Sequence, residues 1–153
     1  MKKLSKNNNL VIVLVLQLLI FLLQADTSFA DKLQFAGFNL ENNPVNRQLG
    51  QSMKISGTIS YFTKLEEPKP LSVMMTIAGE IDLPVEMMLA DEKIINEETN
   101  NKMQEWSFSA VWDGDISFDT SSEGVYECLI EASTGSAEGL FIQKIIRVGV
   151  ANP

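Results

Sequence analysis

Two-residue alternation of apolar and polar side chains is the feature that most constrains how this chain folds. From Met53 to Tyr61, apolar residues and Gly57 alternate with lysine, serine and threonine. Successive side chains of a β-strand point to opposite faces, so this period predicts a strand with one buried and one solvated face. The same pattern predicts six further strands: Leu33–Leu40 with a break at Ala36-Gly37, Leu71–Ala78, Ile81–Val85, Trp106–Trp112, Tyr126–Ala132 and Phe141–Val150.

Residues that interrupt strands separate the alternating runs. The run Glu66-Glu67-Pro68-Lys69-Pro70 predicts a loop, because proline removes a backbone donor, and Pro84 limits its own strand to an edge or a bulge. Asp91–Glu105 is polar, which predicts a long connection that carries one short strand near Ile94-Ile95. A helix over Val85–Gln104 is the alternative, since Glu and Met favour helices although the apolar spacing is poor.

The first 30 residues have the composition of a targeting segment. Lys2, Lys3 and Lys6 precede an apolar run over Leu10–Leu23, and Ser28-Phe29-Ala30 places small residues at the −3 and −1 positions. This order predicts a cleaved secretory signal over residues 1–30, because the apolar run is too short to cross a membrane comfortably as a helix. An uncleaved anchor is the alternative. We expect no stable membrane insertion after cleavage.

Charge and residue counts exclude several classes of function. The chain has no histidine and one cysteine, which excludes a Ser-His-Asp triad, a histidine-ligated metal and an internal disulfide. Removing residues 1–30 takes away three lysines and Asp26, which leaves 9 basic and 19 acidic residues and a net charge of −10. An acidic chain without a basic block is not expected to bind nucleic acid.

The spacing of the predicted strands indicates one fold class. Seven or eight short strands without alternating helices predict an all-β domain over residues 31–153, an antiparallel β-sandwich. Closure into a small barrel is the alternative. The length suits one domain with a single core, held by packing rather than by disulfides.

One short motif resembles a known family. The sequence Gly124-Val125-Tyr126-Glu127-Cys128 is similar to the Gly-x-Tyr-x-Cys motif in strand F of immunoglobulin domains, where the tyrosine forms the tyrosine corner. The strand Met53–Tyr61 lacks a second cysteine, and Leu71–Ala78 lacks a tryptophan. The chain therefore resembles the disulfide-free immunoglobulin-like or fibronectin-like domains of bacterial surface proteins. The resemblance implies an immunoglobulin-like sandwich in which the strands at Met53, Leu71, Glu105 and Leu140 act as B, C, E and G.

Asp113, Asp115 and Asp119 form the strongest candidate metal site. An Asp-x-Asp loop with Glu123 near it offers several of the oxygens that calcium needs, but a solvated acidic turn is the favoured interpretation. Copper is a second candidate metal, because thioethers are soft ligands. Adjacent residues on a strand point to opposite faces, so the methionine pairs at 74–75 and 87–88, with Met103, are better explained as core filling.

Three further residues have both a core and a functional interpretation. Cys128 has apolar neighbours on its face of the strand, which predicts a buried and unreactive thiol rather than a link to another chain. Trp106 and Trp112 share a strand face and are expected in the core; a carbohydrate platform is the alternative. The carboxylate pairs Glu66-Glu67 and Glu97-Glu98 lie in polar loops and are interpreted as solvated charge, and no catalytic residue is predicted.

The expected function is that of a secreted, non-enzymatic binding or structural module in a matrix, appendage or adhesion role. It would contact a protein partner or a second copy through edge strands, with Leu33–Leu40 and Leu140–Val150 as the candidates. The alternative is a small periplasmic accessory protein that binds calcium, copper or carbohydrate. The sequence names no partner.

Overall fold

The computed structural model describes residues 31–64, 70–116, 123–135 and 139–151. Strands make up 73% of these residues and none of them is helical, which confirms the all-β expectation. The strands are β1 (Lys32–Glu41), β2 (Val45–Asn46), β3 (Met53–Thr63), β4 (Leu71–Ile77), β5 (Ile81–Leu83), β6 (Glu86–Asn96), β7 (Asn101–Trp112), β8 (Gly124–Thr134) and β9 (Phe141–Ala151). The predicted signal, Glu66-Glu67 and Asp119 lie outside the described residues. Within the described ranges, no helix has the length and apolarity needed to cross a membrane.

The strands form two sheets. Sheet A has the order β1-β3-β7-β6, and sheet B has the order β2-β9-β8-β4-β5 and curls into a half-barrel. Neighbouring strands are antiparallel except β2 and β9, which run parallel over two residue pairs. The open edges of both sheets rule out closure into one barrel within the described residues.

The core follows from the alternation in the sequence. On β3, Met53, Ile55, Ile59 and Tyr61 are fully buried, and intervening residues such as Lys54 face outwards. The corresponding faces of β4, β7 and β8 contribute most of the remaining residues of the same apolar core: Val73, Met75, Ile77, Phe108, Ala110, Trp112, Cys128, Ile130 and Ala132. The strands predicted at these positions are confirmed, and burial of one face of each supplies the main stabilisation.

The prediction of a long connection over Asp91–Glu105 was wrong, and so was the alternative helix over Val85–Gln104, whereas the strand expected near Ile94-Ile95 is part of β6. Most of this segment is strand, because β6 ends at Asn96 and β7 begins at Asn101. Among the described strands β6 pairs only with β7, and most of its side chains are exposed, so a polar composition is compatible with an edge strand. Register shifts at Leu89–Asp91 and Ile94–Asn96 also break the two-residue period that would have revealed it.

Two finer predictions about strand interruptions are confirmed. The break expected at Ala36-Gly37 is a register shift between Phe35 and Gly37 in the pairing of β1 with β3. β5 stops at Leu83, directly before Pro84, and lies at the edge of sheet B. The described residues contain nine strands rather than seven or eight. The two-residue β2 is too short to leave a periodic signal, and β6 was expected only as a short strand within a connection.

Candidate functional site

β9 presents a strand edge that the described part of the chain leaves open. One side of β9 pairs with β8 from Phe141 to Val150 without a register shift. On the other side, β2 pairs only with Val150 and Ala151 at the end of the strand. No described strand covers that side from Phe141 to Ile146, so six residues form what we call the β9 edge.

Hydrogen bonds near the end of β9 show which backbone groups point to this edge. The Gly149 N–H donates to Asn43 Oδ1 at 2.8 Å, and the Arg147 carbonyl accepts from Asn43 Nδ2 at 3.4 Å. The Leu140 carbonyl, by contrast, accepts from Thr134 N–H of β8 at 3.0 Å. Because backbone groups alternate along a regular strand, those of Phe141, Gln143 and Ile145 point away from β8 and towards the open edge.

The other edge strands carry features that discourage pairing. β1 has a register shift at Phe35–Gly37, β2 has two residues beside Pro44, and β5 has three residues before Pro84. β6 has two register shifts and four charged residues. Short strands, bulges, prolines and charges are the usual protection of sheet edges. The β9 edge has no bulge and no proline, and its single charge is Lys144.

Apolar side chains stand beside the β9 edge on the outer face of sheet B. Phe141 and Ile145 are 57% and 53% exposed, although each belongs to a residue type that is usually buried. The pairing of β8 with β9 places half-buried Leu129 next to Ile145 and Glu131 next to Gln143. The edge therefore combines unpaired backbone groups with exposed apolar side chains, which is the combination that an added strand uses.

The acidic turn proposed for calcium follows β7. Asp113 Oδ1 accepts from the Asp115 backbone N–H at 2.9 Å, and the Asp115 carboxylate lies 3.4 Å from the Arg47 guanidinium. The third residue, Asp119, lies outside the described residues. Among those described, no group of three or more acidic or cysteine side chains converges as a metal site. The two described carboxylates are engaged in a local turn and an ion pair.

The tryptophans occupy two different environments on the inner face of β7. Trp112 is 2% exposed and its indole Nε1 donates to the Asp115 carbonyl at 3.0 Å. Trp106 is half-buried, and its Nε1 donates to Gln104 Oε1 at 3.0 Å. Gln104 Nε2 in turn donates to Glu92 Oε2 at 2.7 Å. The core interpretation therefore holds for Trp112. Trp106 packs against the same core but is only partly buried, and hydrogen bonds through Gln104 to Glu92 connect its indole to the surface.

The cysteine and methionine side chains are buried or exposed according to the face of the strand on which they lie. Cys128 is fully buried, and burial raises the pKa of its thiol to about 11, so the side chain stays protonated and inaccessible. Met75 is buried and Met74 is 61% exposed. Half-buried Met87 and exposed Met88 likewise lie on opposite faces of β6. Neither pair converges on one point.

A groove on the outer face of sheet A was not predicted. Its floor carries the hydroxyls of Ser56, Thr58, Ser107 and Ser109 on β3 and β7, and the cavity measures about 600 Å³. Pairing places Ser56 beside Ser109 and Thr58 beside Ser107, so four small hydroxyl side chains form one patch. Longer residues on the outer strands form its walls, including Asn39 and Met88. The sequence feature that could have predicted this groove is the set of small hydroxyl residues on the polar face of β3 and of β7.

Comparison of the sequence with protein-family models gives no match. Comparison with curated proteins gives no significant match either. The assignment of function therefore depends on the geometry of the chain itself.

Proposed function

We propose that this chain is a secreted, non-enzymatic immunoglobulin-like module that binds a protein partner by strand addition at the β9 edge. The observation that carries the proposal is the edge from Phe141 to Ile146, which no strand in the described part of the chain covers. Secretion is supported by the composition of residues 1–30, as argued from the sequence.

The strand order supports the immunoglobulin-like part of the proposal. With β3, β4, β7, β8 and β9 as strands B, C, E, F and G, sheet A has the order A-B-E-D and sheet B contains C-F-G. A constant-type immunoglobulin domain has sheets A-B-E-D and C-F-G, so this strand order supports the proposal; β2 and β5 are additional strands at the two ends of sheet B. The Gly-x-Tyr-x-Cys motif falls on β8, the strand F of this assignment.

Strand addition explains why the exposed features lie together. An added strand would hydrogen-bond to the backbone groups of Phe141, Gln143 and Ile145, and alternate side chains of the partner would contact Phe141 and Ile145. Backbone pairing gives affinity without a deep pocket, and the two apolar side chains give selectivity. This mechanism requires no catalytic residue.

A proline substitution tests the proposal at one backbone group. Gln143→Pro removes an outward N–H that makes no bond to β8, so the β8–β9 ladder is preserved. Gln143→Ala is the matched control, because it keeps the N–H. We expect labelled residues 31–153, which contain every described strand, to bind saturably to the surface or matrix of the source cells. Gln143→Ala should bind equally and Gln143→Pro should not. Equal binding by both variants, with unchanged melting temperatures, would contradict the proposal.

Carbohydrate binding in the sheet A groove is a second candidate function. The supporting observation is the cluster of four hydroxyls in a cavity of about 600 Å³, a size that suits a small ligand. Ser109→Tyr would fill the groove without touching the β9 edge. Binding of neutral oligosaccharides by the unmodified chain, measured by calorimetry and lost in Ser109→Tyr, would support this function. If none of the oligosaccharides tested gave a measurable heat of binding, carbohydrate binding in the groove would be contradicted.

A further inference from the structure

Exposed apolar side chains are concentrated on two strands that lie at open edges of different sheets. Ten large hydrophobic side chains are exposed in the described chain, and six of them lie on β6 or β9. They are Met88, Leu89, Ile94 and Ile95 on β6, and Phe141 and Ile145 on β9. Single exposed apolar residues are ordinary, but clusters on unpaired edges indicate an interaction surface.

The two strands have opposite charge. β9 contains Lys144 and Arg147 and no acidic residue, which gives it the largest net positive charge of the described strands. β6 contains Glu86, Asp91 and Glu92 against Lys93, which makes it the most acidic edge strand described. Both strands have 11 residues. In a chain with a net charge of −8, β9 is therefore the edge that an acidic surface approaches with least repulsion.

We propose that the β9 edge of one copy pairs with β6 of a second copy. This inference rests on the proposed function, because it uses the same edge, and it names the partner. The acidic residues of β6 repel other acidic edges but attract a basic one, so its protection against pairing is selective. The register shifts in β6 confine pairing to one of two regular four-residue stretches, Glu86–Leu89 or Asp91–Ile94.

The geometry of this contact determines the kind of assembly. β9 and β6 are different surfaces, so a bound pair of copies still offers one free β9 edge and one free β6. Such a heterologous contact propagates into an open chain of copies unless the rotation happens to close a ring. Pairing of β9 with a second β9 would instead give a closed dimer, and it would bring Lys144 and Arg147 of both copies together.

Charge reversal on each strand provides the test. One variant carries Lys144→Glu and Arg147→Glu, and the other carries Glu86→Lys and Asp91→Lys; all four side chains are exposed. Glu92 is left intact because Gln104 donates to it. Each variant alone then has two edges of like charge, whereas an equal mixture restores opposite charges at every contact. Residues 31–153 are measured by size-exclusion chromatography with light scattering from micromolar to millimolar concentration.

We expect the unmodified chain to form a concentration-dependent series of oligomers, and each variant alone to associate more weakly by about tenfold or more. The equal mixture should regain the oligomers. A discrete dimer, or a monomer at every concentration, would overturn the inference. If only the β9 variant loses association, β6 is not the partner, while the β9 edge keeps its proposed function. Melting temperatures of the variants distinguish lost association from lost folding.

Discussion

Trp112 of sheet A and Tyr126 of sheet B meet edge to face, with ring centroids 6.3 Å apart and ring planes at 81°. This is a favoured geometry for two aromatic rings, and it joins the sheets near one end of the core. The indole Nε1 of Trp112 donates to the Asp115 carbonyl at 3.0 Å, so the same residue also holds the turn that follows β7.

A double-mutant cycle measures this contact. Trp112→Leu and Tyr126→Leu should show a coupling free energy of about 1 kcal/mol in chemical denaturation, because the pair interacts beyond the area it buries. The control cycle pairs Tyr126→Leu with Trp106→Leu. Trp106 lies six residues earlier on β7, about 20 Å away at the rise of a strand, so no coupling is expected there. Equal coupling in both cycles would contradict a direct contact.

Gly57 is a position where even a methyl side chain would be overpacked. A Cβ atom there would lie 2.5 Å from the Gly37 carbonyl oxygen and 2.6 Å from Phe108 Cζ. We expect Gly57→Ala to lower the free energy of unfolding by about 1–3 kcal/mol, as overpacking of a core does. Gly37→Ala is the matched control, since its Cβ would meet only Thr58 Oγ1, at 3.7 Å. Similar losses from both substitutions in urea denaturation would contradict the packing at Gly57.

In the turn between β4 and β5, Ala78 has a strained backbone conformation that a substitution can relieve. Ala78 and Gly79 have φ values of 54° and 72°, and the Glu80 N–H donates to the Ile77 carbonyl at 3.1 Å. Asparagine tolerates this left-handed conformation better than alanine and is favoured before glycine in such turns. Ala78→Asn should therefore raise the free energy of unfolding by about 0.5–1 kcal/mol. Ala78→Ser is the control and should give no comparable gain in melting temperature.

The buried thiol predicts a loss of stability in alkali. Burial raises the pKa of Cys128 from 9.0 to about 11, so the folded thiol keeps a proton that the unfolded thiol releases. Its contribution is fully present below pH 9, and stability falls as the pH rises from 9 to about 11, by roughly 2–3 kcal/mol in total. Urea denaturation of the unmodified chain and Cys128→Ala across this range should show the difference. Parallel pH profiles would contradict it.

Much of the fold was predictable because burial of one strand face leaves a two-residue period. β3, β4, β7 and β8 each carry it, and the structure places strands there. β6 was missed for the opposite reason: it lies at an edge, exposes both faces and is interrupted by two register shifts. Edge strands that bury little leave a weak sequence pattern.

The candidate site could be predicted only in part. The run over Leu140–Val150 indicated a strand suited to an edge, but local sequence does not show which strand covers it. Whether β9 is covered depends on β2, whose two residues pair only with Val150 and Ala151 at the end of β9. Alternation also predicted that the methionine pairs diverge. It did not predict the sheet A groove, because the register that sets Ser56 beside Ser109 joins residues 53 positions apart.

Amide hydrogen exchange along β9 tests the central claim most directly. In dilute solution, the N–H groups of Gln143 and Ile145 should exchange rapidly, and those of Ile142 and Lys144, which face β8, should exchange slowly. When the partner binds, or when the chain associates at high concentration, Gln143 and Ile145 should become protected as well. Uniform protection in dilute solution, or association that leaves these two amides in rapid exchange, would contradict recognition at the β9 edge.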